Sequence, residues 1–398
     1  MNKELTLDSI VEADHLAIQP EGDEYTVGDP AINVFIRIPE EGVEVIRRLN
    51  GEESLSVVQD RLLNEKGLEV DVLDFVSTLM ELNLVAKIDG EQIVESTMVQ
   101  QGLEKKVGEL LFSRAAIILY AACIGTAVIF LCLHPHEIPK YRDAFVFDSI
   151  GISLLFFFII SWVLTIIHEV GHYLAASKEG VPVRFNLSIR WFWLVVEADM
   201  NGLWGKPKKQ RYVPLLAGLF WDAVILCIGL LLQSFLPEGA FSVQVCKMIV
   251  LIQSYKILWQ FIIFVRTDLY YVMITYLNSA DLTRNSIAYL FKPFSKKYKA
   301  FFEELPMTDR KTAMGYGSLY APAFLAAVYI YTMYSIPGAI YALKMAMGQV
   351  MENRLASGAF WDGMIPLVIA LLEMVLWGVG VYNTYFRKEN TNVEFQNS

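Results

Sequence analysis

The sequence is poor in charged residues. Only 19% of its 398 residues are charged, whereas 55% are hydrophobic, and the mean hydropathy is +0.40. A soluble enzyme normally carries more charge, so the composition indicates a membrane protein. An apolar run at the N-terminus is also lacking. We therefore expect no cleavable signal peptide, and a first domain that stays on the side of the membrane where it is made.

Cysteine and histidine are scarce as well. The four cysteines lie in or beside apolar segments and none is spaced as a metal pair, so a disulfide framework is not expected. A membrane di-iron desaturase or hydroxylase needs more histidines, arranged in several HxxxH and HxxHH boxes, than the five present here. Of these, His134 and His136 are expected to be loop residues, which leaves His168 and His172 as the candidate metal ligands.

Charge is divided unevenly along the chain. Residues 1–100 hold 22 acidic and 7 basic residues, whereas residues 101–398 hold 21 and 26. This division predicts an acidic soluble domain followed by a mildly basic membrane part. Because binding to phosphates needs a positive surface, nucleic acid is not an expected partner of the first domain.

Within the acidic domain, apolar spacing predicts an α+β winged-helix unit. A strand is expected at residues 34–38, and three helices at residues 40–49, after Ser54, and from Val70 to about Asn83. A hairpin is expected from Leu84 to Val94, because Asp89-Gly90 separates two apolar runs.

Residues 34–94 resemble the PqqD-like peptide-recognition domains of peptide-maturation systems. The resemblance is carried by the helix, NGExSL, helix and NLV pattern. It implies binding of a leader peptide as an added strand at a sheet edge. A DNA-binding winged helix and a solvated domain without a ligand are the competing interpretations.

The rest of the chain reads as a polytopic α-helical membrane protein. Residues 101–114 form an amphipathic linker. Six apolar segments of spanning length follow, at residues 115–133, 148–173, 213–235, 244–265, 319–344 and 363–383.

Basic residues in the loops predict the orientation. The loops 177–211 and 266–318 carry seven and eight Lys or Arg residues, against two, none and one in the alternate loops. The positive-inside rule then places both termini in the cytoplasm, including the tail that begins at Arg387-Lys388.

A metal-binding motif closes the second apolar segment. His168 and His172 are four residues apart, so on a helix their imidazoles share one face, and Glu169 stands beside the first. Paired histidines with an adjacent glutamate are typical of zinc hydrolases, in which the glutamate is the general base. The preceding residues 151–165 carry no charge, and ionisable groups next to such a segment are costly and usually functional.

A catalytic zinc ion takes a third protein ligand. In the predicted topology, Asp268 lies at the cytoplasmic end of the fourth segment, at the depth of the two histidines. It is the favoured ligand, and Asp222 and Glu373 are alternatives inside the third and sixth segments.

Residues 181–195 alternate with period two, which predicts a strand that returns toward Asn201-Gly202. Its edge could pair with an extended peptide, which makes Phe185, Leu187 and Ile189 candidate substrate-binding residues. The alternative is an aromatic belt at the membrane interface, formed by residues 191–193.

Residues 150–285 are similar to site-2-protease-type intramembrane zinc peptidases, and most similar to the bacterial peptide zinc metalloproteases. The resemblance is carried by HEVGH, two further spans, and the stretches from Arg266 to Tyr271 and from Asn278 to Leu282. It implies a zinc ion held by His168, His172 and Asp268, with Glu169 as base. Glycine commonly follows the aspartate in that family, whereas Leu269 stands here.

The resulting hypothesis is a multi-pass protease of the bacterial cell membrane. Its core would be residues 115–285, followed by residues 286–398 with a basic loop and two spans. A membrane-associated or ribosomally made peptide is the expected substrate, in maturation or export. The alternative is a non-catalytic transporter or a peptide-immunity protein that binds a peptide.

Overall fold

A computed structural model describes most of the chain. The described residues are 5–22, 24–32, 34–93, 102–237, 239–279, 281–330, 332–333 and 336–386. The structure is mostly helical, with a small β region near the N-terminus and a β-hairpin between two long apolar helices. It therefore has the architecture of a polytopic membrane protein with an N-terminal α+β unit.

The N-terminal unit contains seven strands and three helices among its described residues. In chain order they are β1 (Ile10–Glu12), β2 (Ala17–Glu21), β3 (Glu24–Asp29), β4 (Val34–Ile38), α1 (Glu40–Ile46), β5 (Asn50–Ser54), α2 (Leu55–Lys66), α3 (Val72–Glu81), β6 (Lys87–Ile88) and β7 (Glu91–Gln92). One sheet has the order β5-β1-β6-β7 and the other the order β2-β3-β4. Apolar side chains of both sheets and all three helices form one buried core.

The local chemistry of this unit explains its element ends. Gly67 ends α2 in the left-handed conformation, and the carboxylate of Asp71 caps α3 by accepting a hydrogen bond from the Asp74 amide. Asp89 and Gly90 both have positive φ, as a two-residue hairpin turn requires. The predicted strand, helices and hairpin are confirmed, except that α1 ends three residues earlier than predicted because Asn50 begins β5. Val94 lies outside the described residues.

The remaining elements are long helices with one hairpin. They are α4 (Leu103–Leu111), α5 (Arg114–Leu133), α6 (Ile150–Lys178), β8 (Arg184–Arg190), β9 (Trp193–Asp199), α7 (Lys208–Phe235), α8 (Phe241–Gln260), α9 (Asp268–Leu277), α10 (Leu282–Phe291), α11 (Lys296–Glu304), α12 (Met307–Ile330), α13 (Ile336–Glu352) and α14 (Gly358–Tyr385). Short 3-10 turns precede α6, α7 and α9.

Five of these helices, α5, α6, α7, α8 and α14, are long and apolar enough to cross a membrane among the residues that the structure describes. They coincide with five of the six predicted segments. The other predicted segment, residues 319–344, is divided between α12 and α13. Pro337 lies in the first turn of α13, where a proline is tolerated because its missing amide has no partner there.

The helices α6, α8 and α14 run in the same direction. At the start of α6, the Gly151 amide donates to Asp362 near the start of α14, and Phe147 packs on Phe241 at the start of α8. Beyond the end of α6, the Ile189 amide donates to Thr384 near the end of α14. The chain between α8 and α14 therefore has to return across the whole depth of the helical part.

The predicted strand after α6 is confirmed as the first strand of an antiparallel hairpin. Its turn, however, lies at Trp191 and Phe192 and not at the predicted Asn201-Gly202. Trp191 has a φ of 60°, which supplies the tight reversal, and its ring packs on Phe324 of α12. Asn201 instead begins a 3-10 turn that leads into α7. The aromatic side chains proposed as a surface belt thus lie at the hairpin turn.

Candidate metal centre

Helix α6 holds the three residues of the histidine motif inside the helical bundle. His168, Glu169 and His172 are 4%, 8% and 2% exposed, which is unusual for ionisable side chains unless they have partners. One turn separates the histidines, so both rings lie on the same side of α6. Their ring centroids are 4.8 Å apart.

Asp268 reaches the same point from the first turn of α9. Its backbone amide donates to the side-chain oxygen of Gln260 at 3.0 Å, and the Thr267 hydroxyl donates to the Gln260 carbonyl at 2.7 Å. Gln260 is the last residue of α8, so the end of one helix fixes the start of the next. The left-handed residue in this turn is Arg266, with a φ of 55°. Leu269 is helical, so the glycine common at its position in the resembling family is not required for this backbone.

The hydrogen bonds of the two histidines determine which ring nitrogen is free. His172 Nδ1 lies 2.8 Å from the carbonyl oxygen of Pro214, which can only accept, so Nδ1 carries the proton. His168 Nδ1 lies 2.7 Å from a carboxylate oxygen of Asp222 and donates to it. The Nε2 atoms of both rings therefore present lone pairs to the interior.

Three lone-pair atoms converge on one point. His168 Nε2 is 3.1 Å from His172 Nε2 and 3.1 Å from Asp268 Oδ2, and His172 Nε2 is 3.2 Å from the same oxygen. With no proton between them these atoms repel one another, and a cation would remove the repulsion. Ligands that bind a tetrahedral zinc ion at about 2.0–2.1 Å lie about 3.3 Å apart. The group could therefore hold a metal ion of this kind.

Gly218 of α7 leaves the space beside these atoms open. A Cβ atom built on Gly218 would lie 2.4 Å from His168 Nε2 and 2.5 Å from His172 Nε2. Any side chain at this position would collide with the Nε2 edge of both imidazoles. Glycine therefore lets α7 pack closely against the two candidate ligands.

The two alternative ligands lie elsewhere. Asp222 contacts the far nitrogen of the His168 ring, so it orients this histidine and does not join the group of three. Burial inside α7 dictates this role, because a completely buried carboxylate needs hydrogen-bond donors. Glu373 lies on the exposed side of α14, outside the cluster.

A chamber of about 560 Å³ opens beside the three atoms. It is lined by α6, by the hairpin, by the 3-10 turn at residues 201–205, by the end of α8 and by the starts of α7 and α9. Glu169 borders it, and one of its carboxylate oxygens accepts a hydrogen bond of 2.8 Å from the Ala198 amide of β9. The hairpin thus holds the glutamate at the chamber wall.

The predicted substrate-binding residues face away from the chamber's polar wall. Phe185, Leu187 and Ile189 share one face of the hairpin, on which Ile189 packs against Gly380 of α14. The intervening residues Asn186 and Arg190 line the chamber. Alternation of side chains in a strand allows only one set to face the site. In the apolar set, Ile189 is buried against α14, whereas Phe185 is exposed and lies beside Tyr173 of α6.

The expected strand edge also differs from the prediction. The outer edge of β8 is covered by α14, because Asn383 donates to the Leu187 carbonyl and Thr384 accepts from the Ile189 amide. The outer edge of β9 faces Glu169 and the chamber instead, as the bond from the Ala198 amide demonstrates. Of the two strands of the hairpin, β9 therefore presents its outer edge to the chamber.

The sequence predicted that His168, Glu169, His172 and Asp268 belong to one site. All four border the chamber. The sequence did not predict the roles of Gly218, Pro214 and β9. A glycine within an apolar helix is a signal of close helix approach and could have pointed to Gly218. The remaining histidine pair lies outside the candidate site: His134 ends α5 and His136 lies in the 3-10 turn that follows, as predicted for loop residues.

Comparison of the chain with protein-family models, with curated proteins and with solved structures finds no match. The resemblance to zinc peptidases therefore depends on the residues and geometry described above.

Proposed function

We propose that this protein is an intramembrane zinc metallopeptidase that cleaves a membrane-associated or ribosomally made peptide. One observation carries the proposal. Three lone-pair atoms from His168, His172 and Asp268 meet within 3.2 Å, beside the carboxylate of Glu169 and an open chamber. This arrangement supplies the donor set, the base and the substrate space of a metal-dependent hydrolase.

Each residue around the proposed zinc ion would have a distinct role in peptide hydrolysis. A zinc ion bound there would polarise a peptide carbonyl and acidify water. Glu169 accepts the proton of the attacking water and passes it to the leaving amine. The Ala198 amide holds one oxygen of this carboxylate, which leaves the other for proton transfer. The backbone carbonyl of Pro214 and the carboxylate of Asp222 keep the ligand nitrogens of both histidines unprotonated.

The substrate is expected to bind as a strand on the outer edge of β9. In an antiparallel pair, every second residue turns its amide away from the partner strand, so Val196 points in the same direction as Ala198. A peptide bonded to this edge runs toward Glu169. When a substrate helix unwinds in a membrane, its backbone N–H and C=O groups lose their hydrogen bonds. Pairing as an extended segment along β9 would replace these hydrogen bonds.

The proposed topology keeps both termini in the cytoplasm, in a bacterial cell membrane. The parallel course of α6, α8 and α14 supports placing both termini on the same side, because the chain must cross once more between α8 and α14. The cytoplasmic side follows from the loop charges alone. α12 and α13 would make this crossing. The Arg387-Lys388 pair lies outside the described residues.

The N-terminal unit would present the peptide. Its sheet β2-β3-β4 contacts the 3-10 turn at residues 201–205, which contributes Leu203 and Trp204 to the chamber wall. A leader peptide bound within residues 34–94 would therefore be held beside the chamber.

The test is cleavage of small peptides encoded near the gene, co-expressed with the protein and analysed by mass spectrometry. We expect Glu169→Gln to abolish cleavage while the purified protein still binds zinc. Glu179→Gln, at the end of the same helix, should cleave normally because its partner is Lys178. Cleavage by Glu169→Gln would refute the assigned base. Zinc binding without cleavage of any peptide would favour a binding protein such as a transporter or an immunity protein.

A further inference from the structure

A single lysine joins three helices at the back of the candidate metal centre. The ammonium group of Lys256, in α8, donates to Oδ1 of Asp222 in α7 and to the carbonyl oxygen of Leu164 in α6, each at 2.8 Å. Leu164 lies one helical turn before His168. Only 19% of the Lys256 side chain is exposed, and Asp222 is completely buried. A charge placed so deep among apolar helices is costly unless it has a partner.

Both oxygens of Asp222 are engaged. Oδ2 accepts from His168 Nδ1 at 2.7 Å, and Oδ1 accepts from Lys256. Neither oxygen is turned toward the lone pairs of His168 and His172. Lys256 thus determines the position of the carboxylate, and the carboxylate determines the position of the imidazole.

We propose that Lys256 and Asp222 are a positioning pair that sets the affinity of the metal site through His168. The pair fixes the ring rotamer and the tautomer of His168, and the negative charge of Asp222 makes this ligand a stronger donor. Lys256 balances that charge and keeps Asp222 from turning into the site as a competing ligand. The inference rests on the metal site of the proposed function but not on peptide cleavage.

A purely structural link between helices would behave differently. It would affect the folded state of the protein and leave the metal affinity of the folded fraction unchanged. A positioning pair instead changes the affinity of a protein that remains folded. It also makes the effects of the two residues depend on each other.

The first experiment measures zinc binding to the purified full-length protein by competition with a chelating dye. We expect Lys256→Met to bind zinc about 10-fold to 100-fold more weakly than wild type, the range seen when a group behind a metal ligand is removed. Lys256→Arg, which keeps the charge and the N–H donors, should recover most of that loss. Lys247→Met is the matched control, because Lys247 lies in the same helix nine residues earlier and borders a separate small cavity.

The second experiment is a double-mutant cycle with Asp222→Asn. In a pair that acts through His168, Lys256→Met should add little to the loss already caused by Asp222→Asn. Cobalt absorption spectra provide a second readout, since a displaced His168 ring changes the ligand field. If Lys256→Met does not fold, Lys256→Gln, which keeps an N–H donor without the charge, takes its place under the same criterion.

The outcomes separate this inference from the proposed function. Wild-type zinc affinity in folded Lys256→Met or Lys256→Gln would overturn the positioning pair, as would effects of Lys256 and Asp222 that simply add. A wild-type protein that binds zinc but cleaves no peptide would defeat the peptidase proposal and leave the positioning pair intact.

Discussion

At the scale of single residues, the proposed metal site depends as much on a missing side chain as on its candidate ligands. Gly218 stands where a Cβ atom would approach both ligand nitrogens to about the length of a metal bond. We predict that Gly218→Ala loses zinc binding, because α7 cannot shift without also moving the Pro214 carbonyl that orients His172. The measurement is zinc content after dialysis.

Gly125→Ala provides the control for this variant. Gly125 lies in α5, and a Cβ atom there would meet nothing within 4 Å. It should therefore bind zinc as wild type does. Normal zinc binding by Gly218→Ala would mean that the ion does not sit between the histidines and α7.

Glu44 in the N-terminal unit gives a prediction on pH. Hydrogen bonds from Lys66 and Arg48 lower the pKa of this buried carboxyl from 4.5 to about 2. A carboxyl whose pKa is lower in the folded protein than in the unfolded chain stabilises the fold at pH values above the unfolded pKa. This stabilisation is lost as the pH falls from about 4.5 to about 2. We predict that Glu44→Gln destabilises the unit by about 1–2 kcal/mol at pH 6, since its partners are themselves partly solvated.

Hydrogen exchange of α1 and α2 in the full-length protein measures this effect. The difference between wild type and Glu44→Gln should shrink steadily below pH 4.5 and vanish near pH 2. Glu41→Gln, an exposed neighbour in the same helix, should make no difference at any pH. A difference that persists at pH 2 would show that the side chain acts by packing and not by charge.

The residues that the sequence predicted are those whose chemistry is local. HEVGH places two candidate ligands and a candidate base on one helix, and loop charges predict that Asp268 lies at the same depth, without knowledge of packing. Gly218, Pro214 and Lys256 could not be assigned in this way. Each acts through a contact between helices that are far apart in sequence, and an apolar helix carries little signal of which face meets which neighbour.

At the scale of secondary structure elements, the hairpin shows what alternation can and cannot predict. Period two identified β8, but it could not say which face would meet the site. Contacts with α14 determine this face. Gly380 leaves room for the apolar side chain of Ile189, and Asn383 and Thr384 form hydrogen bonds with backbone groups at the outer edge of β8. Trp377 of the same helix donates to the Phe192 carbonyl at the hairpin turn. Thus α14 satisfies backbone groups that an apolar surrounding would otherwise leave unpaired.

The free edge of β9 leads to a prediction at this scale. Val196→Pro removes an amide that points away from β8, so the hairpin ladder keeps its bonds while the chamber loses a donor. We expect peptide cleavage to fall about tenfold, the effect of one hydrogen bond of about 1.4 kcal/mol. Zinc binding should not change. Cleavage assays and zinc content are measured on the same preparation.

Val196→Ala separates the amide from the side chain. It keeps the N–H group and removes only two methyl groups, so it should cleave nearly as well as wild type. An equal loss in both variants would assign the effect to the side chain and contradict strand addition at β9.

At the scale of the whole molecule, the N-terminal unit and the chamber share a buried ion pair. Glu21 at the end of β2 is 3% exposed in its side chain and contacts Arg211 of α7, with Lys208 at 3.5 Å. The Arg211 guanidinium also donates to the carbonyl oxygens of Trp204 and Lys206, and it borders the chamber. A charge on one unit is therefore neutralised by a charge on the other. This explains how an acidic domain is seated on a basic membrane part.

Removing one partner of such a pair leaves the other charge buried and uncompensated, which costs about 3–5 kcal/mol. We predict that Glu21→Gln weakens the seating of the unit, so that hydrogen exchange rises both in β2 and in residues 201–205. Glu53→Gln is the control, because Glu53 pairs with Arg61 within the unit and not with Arg211. Faster exchange confined to β2 would mean that Glu21 stabilises only its own domain. Faster exchange on both sides, with zinc binding unchanged, would establish that the N-terminal unit is held at the chamber independently of the metal.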